Sequence, residues 1–115
     1  MGLLLSGAQD HHGQNVSSIN RGILLASPAV TVNAVLPGPT HSPGVGEFVK
    51  QISGGQPFAE FEKEFFKTVR PTSLLKRFIN TEEVASLVAY VCSPLASATN
   101  GAALRVDGGV VQACF

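Results

Sequence analysis

The chain has no tryptophan, one tyrosine, one methionine and two cysteines among its 115 residues, and its formal charge sums to zero. Each scarcity closes off a class of reading. Cys92 and Cys114 are too few for a disulfide framework, and a reduced, cytoplasmic setting is the simplest expectation. Cys92 falls in an apolar helical pattern and is expected to be a small core residue, while Cys114 stands one residue from the end. Eight basic residues balance eight acidic ones without forming a stripe, so nothing points to nucleic acid. The same neutrality predicts poor colloidal stability. No apolar run approaches the roughly 20 residues of a membrane span, and three leucines after Gly2 are too few for a secretory signal. Met1-Gly2-Leu3-Leu4-Leu5-Ser6 fits a loose lipidation pattern, but a frayed or strand-like start is the plainer reading. His11 and His12 are adjacent and so diverge on any regular element; with only His41 besides, no metal-ligand spacing appears. Gly44-Val45-Gly46 lacks a third glycine and a preceding strand, so it is not a phosphate-binding fingerprint. No nucleophile–base pair can be assembled either, because Cys114 and Ser42 have no fixed partner in the sequence.

What is there is enough for one small domain. Hydrophobic residues make up 44% and charged residues 14%, a composition that builds a core and does not read as disordered. Gly, Gln, Asp, His, Asn and Ser crowd residues 6 to 20, and the short run Ile23 to Ala26 is broken by Ser27-Pro28. Residues 1 to 29 therefore read as loop-like, with no helix of normal length. Val30 to Leu36 is apolar and β-branched except for Thr31 and Asn33, the pattern of a strand buried on both faces. Asn33 must find hydrogen-bond partners there and reads as a structural bridge. Pro37 ends the strand.

Residues 37 to 57 are rich in Pro, Gly and Ser and read as a long loop, with one turn of helix near Glu47 to Lys50. Residues 58 to 69 form an amphipathic helix with Phe58, Phe61, Phe65 and Phe66 on one face, a stripe expected to pack as core. A second helix spans 81 to 92. Asn80 is its N-cap, Glu83 completes an approximate capping box, and Val84, Leu87, Val88 and Val91 form its stripe. Asn100-Gly101 turns into a strand from Ala102 to Val106, closed by Asp107-Gly108-Gly109. Strand, helices and strand in that order make a βαβ crossover, which belongs in a parallel sheet. In such sheets ligands bind beyond the carboxyl ends of strands, where the Pro37-Gly38-Pro39-Thr40 turn would lie.

Several marks in order carry a resemblance. They are Val32-Asn33-Ala34-Val35 with Pro37-Gly38, Arg77 leading into Thr81-Glu82-Glu83-Val84-Ala85, Ser93-Pro94, Ala98-Thr99-Asn100-Gly101, and Val106-Asp107-Gly108-Gly109. Residues 30–115 resemble the C-terminal part of the short-chain dehydrogenase/reductase family, and residues 1–29 read as a degenerate or unrelated segment. The resemblance implies an α/β fold, the C-terminal fragment of a Rossmann-like doubly wound parallel sheet. It implies an oxidoreductase using NAD or NADP on carbonyls or alcohols. It also implies a cofactor-binding role for Pro37 and Gly38 against the nicotinamide, for the Thr40 backbone at the carboxamide, and for the Ser42 hydroxyl at the diphosphate.

The departures are as specific. The family's glycine-rich loop and its catalytic Tyr-x-x-x-Lys have no match: the one tyrosine, Tyr90, is followed at the fourth position by Pro94. Ser17-Ser18 resembles the family's catalytic-serine strand and Arg21-Gly22-Ile23-Leu24 the end of its catalytic helix, as if the tyrosine-bearing helix were deleted between them. No catalytic residue is therefore assigned. The chain is expected to be a truncated, inactive member with doubtful cofactor binding of its own. The alternative is a non-catalytic module that pairs with itself or with an intact relative. No membrane and no metal are expected.

Overall fold

The β-branched run behaves as its pattern demands. In the computed structural model, which describes residues 2–6 and 30–113, Thr31–Pro37 is a strand whose residues from Val32 to Leu36 are all buried. We call it β2. It lies between β1 (Gly2–Ser6) and β5 (Ala103–Val106), and both pairings are parallel. β1 agrees with the strand-like reading of the first residues. The readings placed on residues 7–29, His11 and His12 among them, lie outside the described residues, as does Cys114.

The described residues divide into two compact units, one of Met1–Pro37 with Glu82–Val106 and the other of Gly38–Thr81 with Asp107–Phe115. In the first unit, Asn33 is fully buried and bridges two segments. Its Nδ2 donates to the Thr99 carbonyl at 2.9 Å, and its Oδ1 accepts from the Ala102 amide at 3.0 Å. Asn100 repeats the device, its Oδ1 accepting the Val32 amide at 2.9 Å. The asparagine inside the strand is thus the structural bridge the sequence suggests, since a buried amide is stable only when paired. Helix α3 (Thr81–Val91) follows Asn80 directly. It buries Val91, and Val84, Leu87 and Val88 are half-buried. Cys92 is exposed and not in the core. It lies one residue beyond the helix, off the stripe that ends at Val91.

The second unit differs more from expectation. The stretch read as a long loop contains a ten-residue helix, α1 (Pro43–Ile52). Ser42 caps it in extended backbone, Pro43 takes the first turn where its missing N–H costs nothing, and Val49 is buried. These outweigh the poor helix propensity of Gly44 and Gly46. α2 (Phe58–Thr68) is the expected aromatic helix. Phe66 is its buried member, and Phe78 meets Phe65 and Phe66 at centroid distances of 5.0 and 5.2 Å. The Glu62 carboxylate accepts the Phe78 amide at 2.7 Å, tying the segment after α2 to the helix. Two short strands, β3 (Thr40–His41) and β4 (Ile79–Asn80), pair in parallel.

Candidate functional site

Four residues were singled out by resemblance. Pro37 is the last residue of β2 and of the first unit; Gly38, Thr40 and Ser42 follow in the second. The turn is fixed locally, because the Thr40 hydroxyl donates to the Gly38 carbonyl at 2.8 Å.

Gly38 is required, for a reason the sequence does not disclose. A β-carbon there would stand 2.6 Å from the Asp107 Cα and 2.7 Å from its carbonyl oxygen. The absent side chain admits the Asp107 backbone. Asp107 is itself buried, and its carboxylate is engaged within its own loop. Oδ1 accepts the Gly109 amide at 2.9 Å and Oδ2 the Val111 amide at 3.2 Å. Gly108 and Gly109 have φ of 69° and 79°, the left-handed region that suits glycine. The Gly108 carbonyl accepts the amides of Leu74 and Leu75 at 3.0 and 3.1 Å. The Thr72 hydroxyl donates to the Val110 carbonyl at 2.6 Å. The closing Asp-Gly-Gly is therefore a brace.

Thr40 offers the more telling geometry. The Ile79 amide donates to the Pro39 carbonyl at 3.0 Å, with Thr40 opposite Ile79 in the parallel ladder. In that pattern the bridged residue turns its own N–H and C=O to the other edge. One residue thus presents a donor and an acceptor side by side, the complement of a primary carboxamide.

Ser42 stands at the start of α1, its Oγ accepting the Val45 amide at 3.4 Å. The Gly46 amide takes the Ser42 carbonyl at 3.0 Å, and Pro43 has no amide to give. The Ser42 hydroxyl proton and the Gly44 amide are the donors at this positive helix end, a setting that suits an anionic oxygen. Beside it, His41 packs edge-on to Phe58 at 4.8 Å. The two border a cavity of about 590 Å³ with Gly46, Val49 and Gln56. Sequence reasoning missed this cavity because it missed α1; the Ser42-Pro43 pair, a cap followed by a proline, was the available signal.

Tyr90 is exposed on α3, in the first unit. Among the described residues no three His, Cys, Asp or Glu side chains are grouped to hold a metal, and no helix is long and apolar enough to cross a membrane.

The family profile described as enoyl-(acyl carrier protein) reductase matches residues 22–111. The chain is 44% identical over 102 residues to the uncharacterized oxidoreductase YvaG of Bacillus subtilis, which takes in 85% of this chain and 39% of that protein. The chain thus spans about two fifths of the length of that curated relative. A short-chain dehydrogenase/reductase structure from Brucella melitensis (glucose/ribitol dehydrogenase) superposes with a TM-score of 0.73 at 24% identity, covering 97% of this chain and 46% of that one. That likeness shows the α/β fold. YwfH, described as an NADPH-dependent reductase of bacilysin biosynthesis, gives 0.66 at 26% identity, over 85% of this chain and 37% of its own.

Proposed function

The chain belongs to the short-chain dehydrogenase/reductase family, and from that premise we propose that it supplies the nicotinamide-facing wall of an NAD(P)-linked oxidoreductase without the catalytic pair. The observation that carries this reading is Thr40, whose N–H and C=O both turn away from the β3–β4 ladder. A nicotinamide bound there would supply the hydride. The chain's own residues bind and orient. Thr40 holds the carboxamide and so fixes which face of the ring is presented. Gly38 shapes the turn that leads into Thr40. Ser42, with the Gly44 amide, meets a diphosphate oxygen. No residue takes the role of the acid that protonates the substrate oxygen, since Tyr90 lacks the lysine four positions on. The chain by itself therefore has no turnover, and a cytoplasmic location suits its free thiol.

A second reading has its own support. Leu95 is 82% exposed and Tyr90 47%, apolar side chains that a second chain would cover. On this reading the chain is a non-catalytic module pairing with a second copy or with an intact relative.

Grafting tests the first reading. Residues 30–113 replace the matching segment of an active NADPH-dependent reductase of the family. The graft is expected to keep NADPH-dependent turnover. Thr40→Pro within it removes the amide and is expected to raise the KM for NADPH while leaving the fold intact. A folded graft whose KM for NADPH is indifferent to Thr40→Pro contradicts the assignment.

A further inference from the structure

α2 carries Lys63 and Lys67 four positions apart, on the same side of the helix. Together with Lys76, Pro71 and the buried Phe66 they line a hollow of about 340 Å³. All three lysines are exposed, so their ammonium groups stand open to a ligand in the hollow. Among the described residues none of the three ammonium groups has a carboxylate within 4.0 Å; the ion pair found there joins Lys50 to Glu47 at 3.2 Å. The Glu62 carboxylate, beside Lys63 in sequence, is engaged by the Phe78 amide.

The backbone adds an independent observation. Lys76 has φ of 55°, the only non-glycine residue with positive φ among the described ones. A lysine adopts that conformation at a cost that glycine or asparagine would largely escape. It is held by the Ser73 hydroxyl, buried at 2% exposure, which accepts the Lys76 amide at 3.1 Å. The Lys76 Nζ in turn donates to the Pro71 carbonyl at 3.5 Å, and Pro71 lines the hollow. The chain thus holds a lysine in a strained backbone position at the rim of a cavity already flanked by two more.

We propose that this hollow is an anion site that takes the phosphate group of a phosphorylated small molecule, separate from the nicotinamide-facing turn. Ammonium groups are compact point charges with three donors each, suited to a dianionic oxygen cluster. The exposed Pro71 ring gives an apolar seat for the carbon attached to it. The site needs neither the catalytic pair nor the cofactor, so it stands or falls apart from the proposed function.

The test uses the whole 115-residue chain. Inorganic phosphate is titrated at fixed ionic strength, balanced with chloride, while amide resonances of residues 63 to 76 are followed by NMR. Phosphate is expected to shift them saturably and chloride is not. Lys76→Gly keeps the backbone at ease and removes the ammonium; it is expected to weaken phosphate binding about tenfold, as is Lys63→Gln with Lys67→Gln. Lys63→Arg with Lys67→Arg keeps the charge and is expected to keep binding, and Lys50→Gln is expected to change nothing. Shifts no larger than those of chloride, or undiminished binding by Lys76→Gly, overturn the proposal.

Discussion

Around β2 buried order is carried by hydrogen bonds between distant segments; around α2 it is carried by rings. In the first unit, Asn33 and Asn100 tie the strand to the turn before β5, and α3 contributes only one fully buried side chain, Val91. In the second, Phe58, Phe61, Phe65, Phe66 and Phe78 contact one another over one helix and the segment after it. The difference follows from sequence. A strand apolar on both faces needs cover on both. An amphipathic helix needs one partner, which Phe78 largely provides.

The comparison can be broken one residue at a time, with amide hydrogen exchange reporting each unit separately. Phe66→Ala is expected to act most strongly. It empties a site only 1% exposed and should cost about 3–5 kcal/mol, with exchange rising in α2 and little change in β2. Asn33→Ala should do the reverse. It strands the Thr99 carbonyl and the Ala102 amide, costs about 2–4 kcal/mol, and frees the amides of β2 and β5 first. Uniform protection loss in either variant would mean that the two cores do not respond separately.

Smaller effects sharpen the account of the turn. Gly38→Ala must displace the Asp107 backbone and is expected to cost about 1–3 kcal/mol, read by denaturant unfolding. A neutral result would show that the Asp107 loop yields freely and does not brace the turn. Ser42→Ala removes the α1 cap and should cost about 1 kcal/mol, seen as faster exchange in the first turn of α1 alone.

Much of the first unit was legible. The run from Val32 to Leu36 has one reading as a strand, and an asparagine within it has to be bridged. The Phe stripe of α2 and the stripe of α3 were equally plain, because period and burial agree there. The second unit was harder. α1 hides in a stretch where proline and glycine dominate, and its decisive residues are a cap and a first-turn proline. β3 and β4 are too short to carry any alternation. Cys92 looked like core because the apolar pattern was extended one residue past the helix. At the site, resemblance picked out Gly38, but only the fold shows that the backbone filling its missing side chain is Asp107, which lies far along the chain.

The proposed nicotinamide-facing wall without the Tyr-x-x-x-Lys pair can be tested on the chain alone. The most direct measurement follows NADH and NADPH absorbance in the purified chain with a panel of carbonyls, and NAD and NADP with the matching alcohols. No turnover above buffer is expected at any cofactor concentration. Turnover that is lost on denaturation would mean that a residue other than a Tyr-x-x-x-Lys pair moves the proton, and would contradict the proposed function.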